Sequence, residues 1–284
     1  MLSQFTIHNE HLAVTIKRKG AELCSVIDNS GYEYIWQAEP VWPRHAPNLF
    51  PIVGSLIDHQ YEYNGKTYDM SHHGFARNMD FDMLHQSEHS ICFVLAHSDQ
   101  TFKAYPFRFN FLVTYTLEGN KLEQRFRVIN TDTKDIPVSF GGHPAFNAIP
   151  VSEYNVVFSE NEVVKSNLLS GPYISNTELD AIAGDTIVLD NDTFNDDALI
   201  FQGLRSKEVS LVHTRSNHKV TMDISEFPYL GIWAKPRAPY VCLEPWQGLA
   251  DYASHNKDIW TKKGIVRVGK NEELSKTFSM RFEH

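Results

Sequence analysis

The sequence predicts an all-β protein, a large antiparallel β-sandwich, and three observations predict it. Short runs of alternating apolar and polar residues recur along the chain. Gly, Asn, Asp or Pro punctuates them at short intervals. No stretch keeps a 3.6-residue period long enough for an amphipathic helix. Many short strands joined by turns are the mark of a sandwich or barrel. The aromatic content, 12% with 18 Phe and 12 Tyr, agrees, because aromatic rings fit a pleated, half-buried surface.

Taken in order, Leu12 to Ile16 reads as the first strand and breaks at Lys19-Gly20. Leu23 to Ile27 follows, ended by Asn29-Ser30-Gly31, and Tyr32 to Trp36 resumes the pattern. Tyr61–Tyr63 and Thr67-Tyr68 flank Asn64-Gly65, a two-residue hairpin signal because both residues tolerate positive φ. A second hairpin turns at Gly119-Asn120. Val113, Tyr115 and Leu117 share one face there, and Phe126 and Val128 alternate with Arg125 and Arg127 on the return. Further strands are expected at Asn155–Phe158, Thr186–Leu189, Ala198–Phe201, Glu208–His213, Lys219–Ile224, Leu230–Ala234, Tyr240–Leu243, Ile265–Val268 and Thr277–Phe282. Helical turns fit only around Ser152–Tyr154 or Asp251–His255. Residues 165 to 185 are polar and poorly patterned, and read as a long excursion. No linker or repeat interrupts the chain, so one domain is expected over residues 1–284.

A formal net charge of -9 with no long basic run argues against a nucleic-acid partner. A neutral small molecule suits an acidic surface better. No run approaches eighteen apolar residues, and the N-terminus lacks a basic segment followed by an apolar one. Neither a membrane span nor a signal peptide is therefore expected. The odd set Cys24, Cys92 and Cys242, each in an apolar stretch, reads as buried reduced thiols. A cytoplasmic protein is the expectation, and self-association into a homodimer stays open.

Four segments break the strand rhythm. Ala46 to Gly54 contains two prolines that hold the chain extended and remove donors, which suits a rigid loop or edge strand. Ser71-His72-His73-Gly74-Phe75-Ala76-Arg77 places two histidines together. In an extended segment their rings point to opposite faces, so they make a poor pair of metal ligands. A lone histidine is usually structural, and this segment alone leaves both readings standing. Gly141-Gly142-His143-Pro144 is a special backbone with His143 as its titratable group. An imidazole suits proton transfer near neutral pH, but one that caps a turn fits equally. Finally, Tyr240 to Gly248 ends an apolar strand with Glu244, and alternation puts Glu244 on the side of Tyr240 and Cys242. A buried carboxylate must be paired or its pKa rises, and either state serves a general base or acid. Trp246 lies on the same face and offers a stacking surface for a sugar.

The blocks HHGFARN, GGHPAFN and CLEPWQG resemble the three signature blocks of the aldose 1-epimerase (galactose mutarotase-like) superfamily, nearest its bacterial aldose-epimerase-related branch. With the flanking strands the resemblance covers almost the whole chain. It implies a supersandwich of two extensive antiparallel sheets with an open carbohydrate cleft. It implies interconversion of the α and β anomers of an aldose, with neither cofactor nor metal. On that resemblance Glu244 is the catalytic base and His143 the catalytic acid. His73, rather than His72, binds on the ring-oxygen side. Asn48, Arg77, Asp197 and Trp246 complete the substrate-binding set, with Asp196 the competitor for Asp197. Members acting on galactose carry Asn-Arg where this chain has Asn48-Leu49. The lost arginine argues against galactose as the default substrate.

The chemistry also fits the residues themselves. Mutarotation needs one group to take the anomeric hydroxyl proton and another to protonate the ring oxygen, a carboxylate and an imidazolium. A non-catalytic sugar-binding module would use the same cleft. A glycoside hydrolase would need a second well-placed carboxylate. A cupin-like metal protein would need converging ligands, for which His73, His143 and Glu244 are the candidates.

Overall fold

The computed structural model of the chain describes residues 3–284, and the side chains of these except at 179–181. One antiparallel sheet dominates. Its hydrogen-bonded path runs through strands Asn48–Leu49, Gly141–Gly142, Tyr240–Trp246, Tyr229–Trp233, Leu199–Gln202, Tyr154–Ser170, Glu208–His213, Lys219–Asp223, Glu273–Glu283, Lys121–Asn130, Phe109–Glu118, Ser90–Ala96 and Asp82–Gln86. Ala145–Asn147 and Tyr173–Val188 pair off this path. A three-stranded sheet, Gln4–His8, Leu12–Lys17 and Leu23–Asp28, covers part of it. Ile7, Val14, Ile16 and Leu23 from that sheet join Phe93, Phe111 and Phe126 of the large sheet in one core. The all-β antiparallel architecture expected from the alternation is therefore the one observed.

Alternation explains the strands it locates. In Phe109–Glu118 every second residue is buried, including Val113, Tyr115 and Leu117. Lys121–Asn130 pairs with it across the Gly119-Asn120 turn and buries Phe126 and Val128. The Asn64-Gly65 turn joins Gln60–Tyr63 to Lys66–Asp69, with Asn64 at φ 49°.

Several expectations are corrected. Tyr32–Trp36 makes only isolated bridges, at Glu33 and Ile35. The Glu33 carboxylate accepts the N–H groups of Val26 and Ile35, doing locally what a neighbouring strand would do. Residues 165 to 185 are no excursion. They belong to the long hairpin of paired strands Tyr154–Ser170 and Tyr173–Val188, whose register shifts between Val157 and Glu162, Val164 and Lys165, and Asn167 and Leu169 blur the period of two. Strands Gln4–His8, Asp82–Gln86 and Ser90–Ala96 were not expected. Neither was the helix Asp99–Ala104, which Ser98 and Thr101 start with a reciprocal capping box. Val151–Glu153 is a 3₁₀ turn, close to the expected position, whereas Asp251–His255 forms no helix. No helix among the described residues is long and apolar enough to cross a membrane.

Candidate active site

Strand Tyr240–Trp246 is buried throughout and lies between Tyr229–Trp233 and the broken edge formed by Gly141–Gly142 and Ala145–Asn147. Ala145 is opposite Cys242 and Gly141 opposite Trp246, so the register sets His143 across from Glu244. Directly opposed residues of an antiparallel pair share a face. The His143 Nε2 atom accordingly lies 3.0 Å from Glu244 Oε2. On the other flank Gly231 faces Glu244. A Cβ on Gly231 would come within 2.5 Å of the Trp246 ring, so the bare glycine is what lets that ring lie over the strand.

His73 reaches the same place by a turn. It has φ 62° and Gly74 has φ 73°, so the segment is not extended. A Cβ on Gly74 would sit 2.2 Å from the Phe50 carbonyl oxygen, which explains the glycine. The expectation that His72 and His73 point to opposite faces fails for this reason. Their rings lie 3.8 Å apart, and both line one cavity. The Gly54 N–H donates to His73 Nδ1 at 2.9 Å, and the His73 N–H donates back to Gly54 O. With Nδ1 an acceptor, the neutral ring carries its proton on Nε2. His72 Nδ1 is held by Ser55 Oγ at 2.7 Å.

The cavity has a volume of about 440 Å³. Of the residues singled out from the sequence, Glu244, His143, His73, Arg77, Asp197 and Trp246 all line it. Asp197 lines it and its neighbour Asp196 does not. Arg77 Nη2 donates to the His72 carbonyl, and its buried Nε has no hydrogen bond. Asn48 is not brought to the cavity. Its amide nitrogen donates to Gly20 O and Ala21 O, and its oxygen accepts from Gln124, so it braces the core. Leu49 is fully buried in an apolar cluster with Val53, Trp246 and Leu249.

Sequence reasoning missed Trp42 and Trp233, which line the cavity and pack on His143. Trp42 stacks on the imidazole at 5.1 Å between centroids. Trp233 meets it edge-on at 5.7 Å. For Trp233 a signal existed, since it is paired with Cys242 on the Glu244 face, but it needs the strand register. Trp42 carries no local signal. Leu169 and Pro172 extend the lining from the long hairpin of residues 154–188, which local pattern did not reveal.

Burial sets the electrostatics. It pushes the Glu244 carboxyl well above the usual carboxylate range, helped by the negative charge of Asp197. It pulls the His143 imidazole well below its ordinary value, helped by the Arg77 cation. Both groups are thus driven toward their neutral forms. A carboxylic acid against a neutral imidazole holds one proton in all, the same count as a carboxylate against an imidazolium. Beyond its 3.0 Å approach to His143 Nε2, Glu244 Oε2 makes no hydrogen bond, and His143 Nδ1 makes none. His73 is also held well below its ordinary value, first by burial and then by His72. Burial and Arg44 lower the Arg77 guanidinium to about 10, so it keeps its charge at neutral pH. Among the described residues, the donors grouped tightly enough for a metal ion are His143, Cys242 and Glu244, within 4.8 Å of one another. His73 is not in that group, so the ligand set considered from sequence is not the one assembled.

The family model described as aldose 1-epimerase matches residues 3–267. The chain belongs to the aldose 1-epimerase family. This aldose 1-epimerase family member is 32% identical to the plasmid-encoded protein LacX of Lactococcus lactis subsp. lactis, over 92% of this chain and 93% of LacX. It superimposes on the galactose mutarotase related enzyme from Lactobacillus acidophilus with a TM-score of 0.93 and 35% identity, covering 99% and 97% of the two chains. A galactose mutarotase-like protein from Lactobacillus casei gives a TM-score of 0.91 and 32% identity, covering 99% of each chain. The galactose 1-epimerase from Lactobacillus acidophilus NCFM shares the fold, at a TM-score of 0.73 and 15% identity over 99% and 94%.

Proposed function

We propose that this protein interconverts the α and β anomers of an aldose by general acid–base catalysis in the cavity around Glu244 and His143. One observation carries the reading. A buried carboxylate and a buried imidazole meet at 3.0 Å on one face of a cavity, in a chain of the aldose 1-epimerase family.

The pair is suited to this chemistry because the reaction moves one proton in each direction and consumes none. With the sugar lying over the pair, so that the anomeric hydroxyl and the ring oxygen, both on C1, face Glu244 and His143, the Glu244 carboxylate takes the proton of the anomeric hydroxyl. The His143 imidazolium protonates the ring oxygen as the C1–oxygen ring bond breaks. The aldehyde turns about the C1–C2 bond, and reclosure on its other face returns both protons. The starting carboxylate and imidazolium hold the same single proton as the neutral pair favoured by burial, so substrate binding only has to shift it across. Each group contributes about 10²–10⁴-fold to the rate. His73 offers its Nε2–H as a second donor. Arg77 and Asp197 bind sugar hydroxyls, and Trp246 provides an apolar stacking face. Asn48 has no part in this set because its amide is already committed to Gly20, Ala21 and Gln124. Nothing in these steps calls for a cofactor.

The test is anomer interconversion across a panel of aldoses, followed by polarimetry or NMR exchange. Glu244→Gln is expected to lower the rate by about 10²–10⁴-fold while sugar binding persists. Undiminished turnover in Glu244→Gln refutes the assignment. Sugar binding by the native protein without accelerated interconversion makes the cavity a recognition site instead.

A further inference from the structure

Cys242 takes no part in the chemistry above, yet it lies beneath it. Strand alternation puts its side chain on the Glu244 face, two residues away, and the residue is fully buried. Its Sγ, a carboxylate oxygen of Glu244 and a ring nitrogen of His143 all lie within 4.8 Å of one another. We propose that His143, Cys242 and Glu244 form an inhibitory site for a thiophilic divalent cation such as Zn²⁺ or Co²⁺, bound in competition with the sugar.

Four observations support it. The donors are a sulfur, an imidazole nitrogen and a carboxylate oxygen, the set that suits zinc. In an ideal tetrahedral site such donors stand roughly 3.3–3.6 Å apart, so a separation of up to 4.8 Å needs to close by at most about 1.5 Å. Charge balances: a thiolate, a carboxylate and a neutral imidazole around a divalent ion sum to zero, which suits a buried site. Binding releases two protons to solvent, one from the thiol and the one shared by Glu244 and His143. Lastly, Glu244 Oε2 is buried with no hydrogen bond beyond its 3.0 Å approach to His143 Nε2, so the interaction that binding replaces is one between two of the proposed ligands. Glu244 and His143 line the cavity while Cys242 lies behind them, so the ion enters by the sugar's route. Three protein ligands leave a fourth position facing the cavity, and the ion removes both acid–base groups from service.

The direct test needs no substrate. Co²⁺ is titrated into the native protein and the thiolate-to-cobalt charge-transfer absorption is recorded. A 1:1 band is expected, retained in Cys24→Ala and Cys92→Ala and lost in Cys242→Ala. No band, or a band lost with Cys24 or Cys92 instead, overturns the site. The inhibition arm rests on the proposed mutarotation. Zn²⁺ should raise the apparent KM for the sugar, chelator should reverse it, and inhibition should strengthen with rising pH. Losing a ligand should weaken inhibition by at least about 10-fold in Cys242→Ala, measured against that variant's own metal-free rate. An unchanged inhibition constant overturns the proposal. A cobalt band in a protein without mutarotase activity would uphold the site and count against the proposed function alone.

Discussion

Gly74→Ala tests how the fold delivers His73 to the cavity. Gly74 has φ 73°, and an added Cβ would stand 2.2 Å from Phe50 O, 2.5 Å from Phe50 C and 2.8 Å from Pro51 N. All three atoms are backbone, so no side-chain rotation relieves the clash. The left-handed conformation itself costs about 1–2 kcal/mol for alanine. Crowding a packed site adds about 1–3 kcal/mol. The Phe50 carbonyl also accepts the N–H groups of Phe75 at 3.0 Å and Ala76 at 3.2 Å, so displacing it weakens bonds worth about 0.5–1.5 kcal/mol each. These contributions overlap, and a loss of about 3–5 kcal/mol is expected, read by urea denaturation with an unchanged m value. In the fraction that folds, the reciprocal His73–Gly54 bonds are displaced, so apparent sugar affinity falls together with stability. A loss under about 1 kcal/mol would refute the argument that this turn admits only glycine.

Two further predictions concern buried charge. The Lys262 ammonium and the Asp251 carboxylate are both buried and 3.0 Å apart, and Lys262 Nζ also donates to Leu249 O. Lys262→Met removes the cation from the buried Asp251 carboxylate, leaving it the Ile57 N–H at 3.0 Å and His255 Nδ1 at 3.4 Å, and should cost about 3 kcal/mol, with Asp251→Asn in the same chain recovering part of it in a double-mutant cycle. An additive cycle would show that the pair is not coupled. His45 is lowered from 6.5 to about 4, first by burial and then by Lys17, whose Nζ lies 2.9 Å from its Nδ1. Because the unfolded chain takes up this proton at the higher pH, the contribution of His45 to stability is complete above about pH 6.5 and is lost as pH falls toward 4. Denaturation at pH 7 and pH 5 should show a smaller acid loss in His45→Gln than in the native protein, and an equal loss would contradict this.

Sequence alternation is plainest in strands with one wet and one dry face. Along Phe109–Glu118 and Lys121–Asn130 the period of two is the direct trace of burial. It is a weaker guide where both faces are covered or both exposed: Asp82–Gln86 escapes it, whereas Tyr240–Leu243 is located although both of its faces are buried. All five residues of Asp82–Gln86 are exposed, and all seven of Tyr240–Trp246 are buried, so neither shows alternation in its burial. It fails again where a side chain substitutes for a strand partner, as Glu33 does at Tyr32–Trp36.

For the site, local sequence determined which groups could do acid–base work. It identified Glu244 at the end of an apolar strand, His143 in a glycine-proline turn, and a histidine pair before Gly74. Backbone rules act over two or three residues, so they reach that far and no further. Tertiary structure decided the rest. The register between Ala145–Asn147 and Tyr240–Trp246 set His143 against Glu244. The left-handed turn at His73 and Gly74 overturned the extended reading and brought both histidines to one cavity. The core took Asn48 for its own hydrogen bonds and supplied Trp42 and Trp233 in its place as cavity walls. Cross-strand register and the burial of distant segments depend on the whole sheet, and no local pattern encodes them.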